Sequence, residues 1–205
     1  MKVRHIVGID EAGRGPLAGP VAVGAVCCDI DVDTTHLLHG IRDSKKLTPK
    51  ARDLWYERIS GESHLRSAVA CTGPAVVDRR GIQHAIASAL KRVLAQLNVD
   101  PQKTMVLMDG GLVAPEVYMH QRSIVHGDAL EPLISAASVM AKVTRDRHML
   151  RVDSRYPVYG FRSHKGYGTR RHMDALHRYG MCPEHRKTFV HISPQGKMTG
   201  ANSGQ

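Results

Sequence analysis

Two adjacent carboxylates, Asp10 and Glu11, open a run of four glycines and two prolines from Gly8 to Pro20 (Gly-Ile-Asp-Glu-Ala-Gly-Arg-Gly-Pro-Leu-Ala-Gly-Pro). The apolar stretch His5-Ile6-Val7 comes first, so both acids fall where a short strand should end. Successive strand residues point to opposite faces. If both acids serve one site, the ladder must break at Asp10, and the following glycines allow it. Two acids beside a bare, arginine-bearing loop suggest a divalent metal next to a phosphate. A glycine-rich hairpin turn with two solvated acids is the plainer alternative.

Two further acids stand in similar settings. The run Thr104 to Met108 is a compact strand candidate ending in Asp109-Gly110-Gly111. Arg122 to His126 is a shorter one, followed by Gly127 and Asp128. Taken singly, each Asp could be a turn former or helix N-cap. Together they form an oxygen-only donor set without a Cys/His partner set, which suits Mg²⁺ or Mn²⁺ better than zinc. The Gly13-x-Gly15 pair fails as a dinucleotide loop: the third glycine is one residue late, at Gly19, and a strand-like run follows. Neither a P-loop nor a Gly-x-Ser-x-Gly elbow is found.

The chain of 205 residues carries a net charge of +10. Between Lys142 and His191 there are 12 Lys/Arg against 4 Asp/Glu, interleaved with Tyr156, Tyr159, Phe161, Tyr167 and Tyr179. Cations among rings suit nucleic acid. Cys27, Cys28, Cys71 and Cys182 show no C-x-x-C spacing and suggest free thiols in a reducing compartment. No signal-peptide core and no apolar run of membrane-spanning length is found, so a cytoplasmic protein with no membrane association is expected.

The elements that must position these groups read as follows. Strands are predicted over 4–9, 21–28, 65–72, 104–108 and 122–125. Helices are predicted over 49–59, 81–97 and after Glu131, and another is opened by Thr169 as N-cap. This order gives an α/β fold, a mixed sheet flanked by helices. The polar tail over 194–205 is expected to be disordered.

The run Gly8 to Pro20 resembles the signature of the ribonuclease HII (type 2 ribonuclease H) family. Later blocks resemble it too: Asp43-Ser-Lys-Lys-Leu47, Met108-Asp-Gly110, Ala136-Ala-Ser-Val-Met-Ala-Lys-Val-Thr-Arg-Asp146, Tyr159-Gly-Phe161, His164-Lys-Gly-Tyr-Gly-Thr169 and His185-Arg-Lys-Thr-Phe189. The resemblance implies a ribonuclease H-like five-stranded mixed sheet over 1–150, with a small basic C-terminal helical part over 151–193 completing the substrate groove. It further implies an endoribonuclease acting on RNA–DNA hybrids and on ribonucleotide-containing duplex DNA. The cut would fall 5′ of the ribonucleotide and leave 3′-hydroxyl and 5′-phosphate ends, serving ribonucleotide removal, RNA primer removal and DNA repair. By resemblance Asp10, Glu11, Asp109 and Asp128 are the catalytic metal ligands for Mn²⁺ or Mg²⁺, with Asp10 bridging two ions. Gly13, Arg14 and Gly15 address the 2′-hydroxyl and its phosphates, and Tyr167 the same hydroxyl and the next sugar.

Lys45, Lys46, Lys142, Arg145 and Lys165 are weaker candidates for phosphate contacts. Ser138 reads better as helix core than as a ligand, and Asp146 as the partner of a nearby Arg. His126 stands where the family's bacterial pattern has a lysine, and its imidazole would make phosphate binding pH-sensitive. Comparable salt dependence of binding at acid and alkaline pH would overturn that. A monomer is expected, and the sequence does not indicate a sliding-clamp association. Two rivals are another metal-dependent nuclease such as a junction resolvase, indifferent to the 2′-hydroxyl, and a non-catalytic nucleic-acid-binding module.

Overall fold

The computed structural model describes residues 2–41 and 47–191. Lys45, Lys46 and the tail over 194–205 lie outside the described residues. Strands β1 (His5–Ala12), β2 (Val21–Asp29), β3 (Arg66–Thr72), β4 (Thr104–Asp109) and β5 (His120–Ile124) form one sheet in the order β3-β2-β1-β4-β5. β1 to β3 pair antiparallel, whereas β4 runs parallel to β1 and β5 parallel to β4. The expected mixed five-stranded sheet is therefore present.

The helices are α1 (Thr34–Leu37), α2 (Pro49–Gly61), α3 (Pro74–Arg80), α4 (Ile82–Leu97), α5 (Gly127–Leu130), α6 (Pro132–Arg155), α7 (Phe161–His164) and α8 (Arg170–Tyr179). Residue 150 lies inside α6. Local chemistry sets several ends. Thr48 accepts from Ala51 N–H at the start of α2, with Pro49 as first helical residue, and Thr169 accepts from His172 N–H at the start of α8, as expected. The one-turn and two-turn helices α1, α3, α5 and α7 were not legible, being too short to show a helical period. β5 begins two residues earlier than the sequence suggests, because His120 already pairs with Met105.

Alternation along β1 and β2 separates two cores. Val7, Ile9, Val21, Val23, Ala25 and Cys27 face Ile86, Leu90, Val93 and Leu94 of α4. Val26 and Cys28 face Leu133, Ala136, Ala137 and Met140 of α6. A third apolar cluster gathers Met149 and Val152 of α6 with Tyr159, Phe161 and Leu176.

On the α6 side, glycine replaces the expected apolar residue at two places. A Cβ on Gly8 would lie 2.3 Å from the backbone carbon of Leu133, and one on Gly24 would lie 2.3 Å from the carbonyl oxygen of Ala137. Both obstacles are backbone, so they cannot swing aside. The helix thus rests directly on the sheet. Gly24 is also the β2 partner of Asp10. The close contact therefore brings α6 onto the acidic end of β1.

Gly24→Ala is expected to destabilise the fold by roughly 1–3 kcal/mol through overpacking, read as a lower urea midpoint. Gly61→Ala, where an added Cβ meets nothing within 4 Å, is the control and should stay near wild type. Equal midpoints for the two variants would refute the close-approach argument.

Candidate active site

The ladder does not end at Asp10 as the sequence suggested. β1 continues through Glu11 and Ala12, which pair with Val23 and Ala22 of β2. The break occurs on one side only: pairing with β4 stops at Ile9↔Met108. Beyond that pair the β4 flank of β1 is open, which lets Asp10 and Glu11 line the same cavity from opposite faces of the strand. One step past the last pair, the parallel register brings Asp109, the final residue of β4, alongside Asp10. Neighbouring strands lie about 4.8 Å apart, so the two acids are neighbours by construction.

The cavity, of about 390 Å³, is lined by these three carboxylates and by Gly13, Arg14, Gly15, Ser138, Lys142, Tyr167 and Arg52. Asp10 is buried, and the Glu11 backbone N–H donates to its Oδ1 at 2.7 Å. Ser138 of α6 hydrogen-bonds its side chain. Burial, with smaller contributions from the charges on Glu11 and Asp109, pushes the Asp10 carboxyl up to about 7 against the bond from Ser138. Burial also raises the Glu11 carboxyl, opposed by Arg14, whose Nε and Nη2 contact Oε1 at 2.9 and 2.8 Å. Asp109 accepts from the Gly127 N–H at 2.7 Å.

Asp128 is held differently. His126 adopts a left-handed conformation (φ 56°) that turns the chain into α5, where Asp128 is buried and does not line the cavity. Its backbone carbonyl accepts from Ser135 Oγ of α6. It stands one residue from the N–H that holds Asp109. His126 itself is exposed.

Crowded hard oxygen donors are the chemistry of a divalent-cation site, and the carboxylates present, with the pKa values of Asp10 and Glu11 raised by burial, fit such an ion. Among the described residues, no three His, Cys, Asp or Glu side chains already converge as a metal cage. Glu11 is turned onto Arg14 and Asp109 onto Gly127, which accounts for that spread.

The glycine-rich loop is shaped from behind by two buried arginines. Arg186 donates from Nη2 to Gly13 O (2.7 Å), from Nη1 to Arg14 O (2.9 Å) and from Nε to Gly19 O (3.0 Å). Arg145 of α6 donates from Nε to Pro20 O (2.9 Å) and from Nη2 to Ala18 O (3.1 Å) and Lys165 O (3.0 Å). Burial lowers both guanidinium pKa values, Arg186 to about 10, which leaves Arg186 charged near neutrality. Arg145 is thus a loop fastener and not the phosphate contact expected from sequence.

Other expectations sort as follows. Lys142 lines the cavity and pairs with Asp146 at 2.8 Å, so Asp146 is bridged by a lysine and not by an arginine. Lys165 is half-buried away from the cavity, its ammonium donating to Arg162 O. Ser138 belongs to the site through Asp10. Tyr167 is 46% exposed at the cavity mouth and is not a core aromatic. Arg52, from α2, was missed; nothing in a helix of mixed charge marks one arginine as facing a site.

Residues 7–193 match the family model described as Ribonuclease HII. The Ribonuclease HII of Coxiella burnetii is 46% identical over 184 residues, covering 90% of this chain and 87% of that protein. That of Caldicellulosiruptor bescii is 43% identical over 187 residues, covering 91% and 87%. The RNase HII solved in a PCNA complex from Archaeoglobus fulgidus superposes with a TM-score of 0.75 at 26% identity, covering 92% of this chain and 96% of that one. The sheet and its flanking helices are therefore the ribonuclease H-like fold, and with the family model matched across almost the whole described chain, this protein belongs to the ribonuclease HII family.

Proposed function

We propose that this ribonuclease H, besides hydrolysing RNA in RNA–DNA hybrids, cuts on the 5′ side of ribonucleotides embedded in duplex DNA, leaving 3′-hydroxyl and 5′-phosphate ends. The observation that carries the reading is that three carboxylates, the Gly13-Arg14-Gly15 loop and Tyr167 line one cavity. A phosphodiester reaching the acids would put its ribose beside the loop and the ring.

In this reading Asp10, Glu11, Asp109 and Asp128 would hold Mn²⁺ or Mg²⁺, and a pair of such ions supplies, when bound, an activated water aligned with the phosphorus and neutralisation of the leaving 3′-oxygen. The chain's own residues do the rest. Ser138 fixes the Asp10 carboxylate by a hydrogen bond. Gly127 N–H fixes Asp109. Arg14 keeps Glu11 paired and lies where a phosphate would enter. With the carbonyls of Gly13 and Arg14 drawn back by Arg186, the loop can offer amide N–H groups to the 2′-hydroxyl and its phosphates. At Gly15 an added Cβ would meet nothing within 4 Å, which leaves room for that sugar. Lys142 and Arg52 add positive charge at the rim, and the basic part over 151–193 completes the groove. Among the described residues no helix is long and apolar enough to cross a membrane.

End-labelled duplexes carrying one ribonucleotide, a long hybrid, or DNA alone test the proposal in Mn²⁺, Mg²⁺ and chelator. A single metal-dependent cut 5′ of the ribonucleotide is expected. Cleavage of the all-DNA duplex would favour a resolvase-like nuclease instead, and binding without any cut would favour a non-catalytic module.

Two outcomes follow from the raised Asp10 carboxyl. A cation must displace its proton, so apparent Mn²⁺ affinity should fall roughly tenfold per pH unit below about 7, read by calorimetry across that range; a flat profile would refute the competition. In the metal-free protein the folded state binds more protons than the unfolded one between the ordinary Asp value of 3.8 and about 7. Asp10 therefore removes stability as pH rises through that window, and fully above it. Asp10→Asn should abolish cleavage yet raise the urea stability of the metal-free protein at alkaline pH by on the order of a few kcal/mol. A variant less stable than wild type there would contradict the electrostatic account.

A further inference from the structure

Behind Tyr167 lies a group of three buried histidines that the proposed chemistry does not use. His164, His172 and His185 are 8%, 0% and 2% exposed. His164 and His172 stack with centroids 4.5 Å apart, and Phe161 packs against all three imidazoles.

With Tyr167 O as a fixed acceptor, their hydrogen bonds favour one neutral arrangement. Tyr167 O is an acceptor only, and it lies 2.9 Å from His172 Nδ1, so Nδ1 carries the proton. The other nitrogen of a neutral His172 is then bare. It lies 3.0 Å from His185 Nε2, which must donate to it. His185 Nδ1 is left bare and accepts from the Cys182 N–H at 2.9 Å, the shorter of its two contacts there. Cys182 O, 3.2 Å away, would take a proton from Nδ1 only in the other tautomer, which would set two bare Nε2 atoms against each other. His164 closes the same segment, donating from Nε2 to Tyr159 O (2.9 Å) while Nδ1 accepts from Gly166 N–H (3.2 Å). A cationic His172 would need a different His185 tautomer, and burial opposes it: burial holds all three imidazoles below the ordinary histidine range, His172 at about 4.

The end of this chain is the backbone carbonyl of Tyr167, which also accepts from Thr169 N–H at 2.8 Å. Tyr167 N–H donates to His164 O, so both backbone groups of the tyrosine are fixed from the histidine side. Its ring, by contrast, is held loosely: the nearest guanidinium, Arg145, lies 5.9 Å from the ring centroid. We infer that His172, with its tautomer set by His185, is a positioning residue for Tyr167, fixing the backbone from which the ring reaches the sugar beyond the ribonucleotide. The inference rests on the reading of Tyr167 given above.

The test uses the full-length protein. Asparagine at 172 keeps a donor near the place of Nδ1, whereas glutamine keeps one near Nε2 and leaves the carbonyl with the Thr169 N–H alone. The readout is kcat/KM on the single-ribonucleotide duplex relative to the long hybrid, which general loss of fold would not shift. His172→Asn should leave that ratio within about twofold of wild type, and His172→Gln should lower it about tenfold, the scale of one hydrogen bond. In a Tyr167→Ala background, the glutamine substitution should change the ratio no further. Equal ratios for the asparagine and glutamine variants, or a glutamine effect that persists without the ring, would overturn the inference. If Tyr167→Ala alone leaves the ratio unmoved, the reading of Tyr167 fails and takes the inference with it. Nitrogen-15 NMR of the unmutated protein checks the proton positions: Nδ1–H on His172 with Nε2–H on His185 is expected, and the reverse pair would overturn the assignment.

Discussion

The depth at which α6 sits on the sheet is the constraint on which the site depends. Gly8 and Gly24 remove the side chains that would hold the helix away, and Ala136, Ala137 and Ala141 present small residues in return. A helix at that depth is fixed by backbone-to-backbone contact, which yields far less than a side-chain interface. Ser138 then reaches Asp10, and Arg145, two turns further along, reaches the carbonyls of Ala18 and Pro20. One helix therefore sets the acids at the end of β1 and the loop that follows them.

That loop could not hold its own shape. It is built from Gly, Pro and Ala with few side chains to pack, and Gly13 and Gly19 take positive φ (91° and 84°). Its form is imposed by Arg145 and Arg186, each of which places three donors on backbone carbonyls. Burying a guanidinium is costly unless its donors are satisfied. The turned carbonyls take three donors of each, Arg145 Nη1 staying without a partner among the described residues, and they can do so only while the loop keeps one conformation. A lysine could not substitute, since its three donors radiate from one atom while the guanidinium presents a planar fork. Arg145 also holds Lys165 O, so the segment leading to Tyr167 is tied to the loop through the same side chain. The two parts proposed to face the ribose are thereby kept in fixed relation.

The sheet and its long helices were legible because they rest on periodicity, which a sequence displays directly. The acids at the ends of the β1 and β4 runs were legible for the same reason, and the parallel register accounts for Asp109 meeting Asp10. What sequence could not show is which charged side chains turn inward. Arg145 and Arg186 look like members of a basic surface, and His164, His172 and His185 like further weak bases, yet all five are buried. Burial of a charge is decided by acceptors brought from distant parts of the chain, such as Gly13 O for Arg186, and no local pattern announces them. The continuation of β1 past Asp10 was hidden likewise, because only β4 departs there while β2 keeps its pairs.

The cavity combines charges of opposite sign that each disfavour one of its two proposed ligands. Asp10, Glu11 and Asp109 repel a phosphate, while the buried guanidiniums behind the loop, with Arg14, Arg52 and Lys142 at the rim, repel a cation. In a partly enclosed site these terms are stronger than in open water. On the proposed reading each ligand relieves the repulsion felt by the other: a divalent cation neutralises the acids that a phosphodiester would meet, and the phosphodiester neutralises the rim cations that a metal would meet. The carboxyl of Asp10, raised mainly by burial and further by the charges on Glu11 and Asp109, carries a part of that repulsion. Because linkage is reciprocal, metal and substrate must then strengthen each other's binding, and a nucleic acid lacking a phosphate in this position would forgo that gain. On that reading the acids serve selection as well as chemistry, weakening the hold of a basic protein on nucleic acid wherever no metal completes the site.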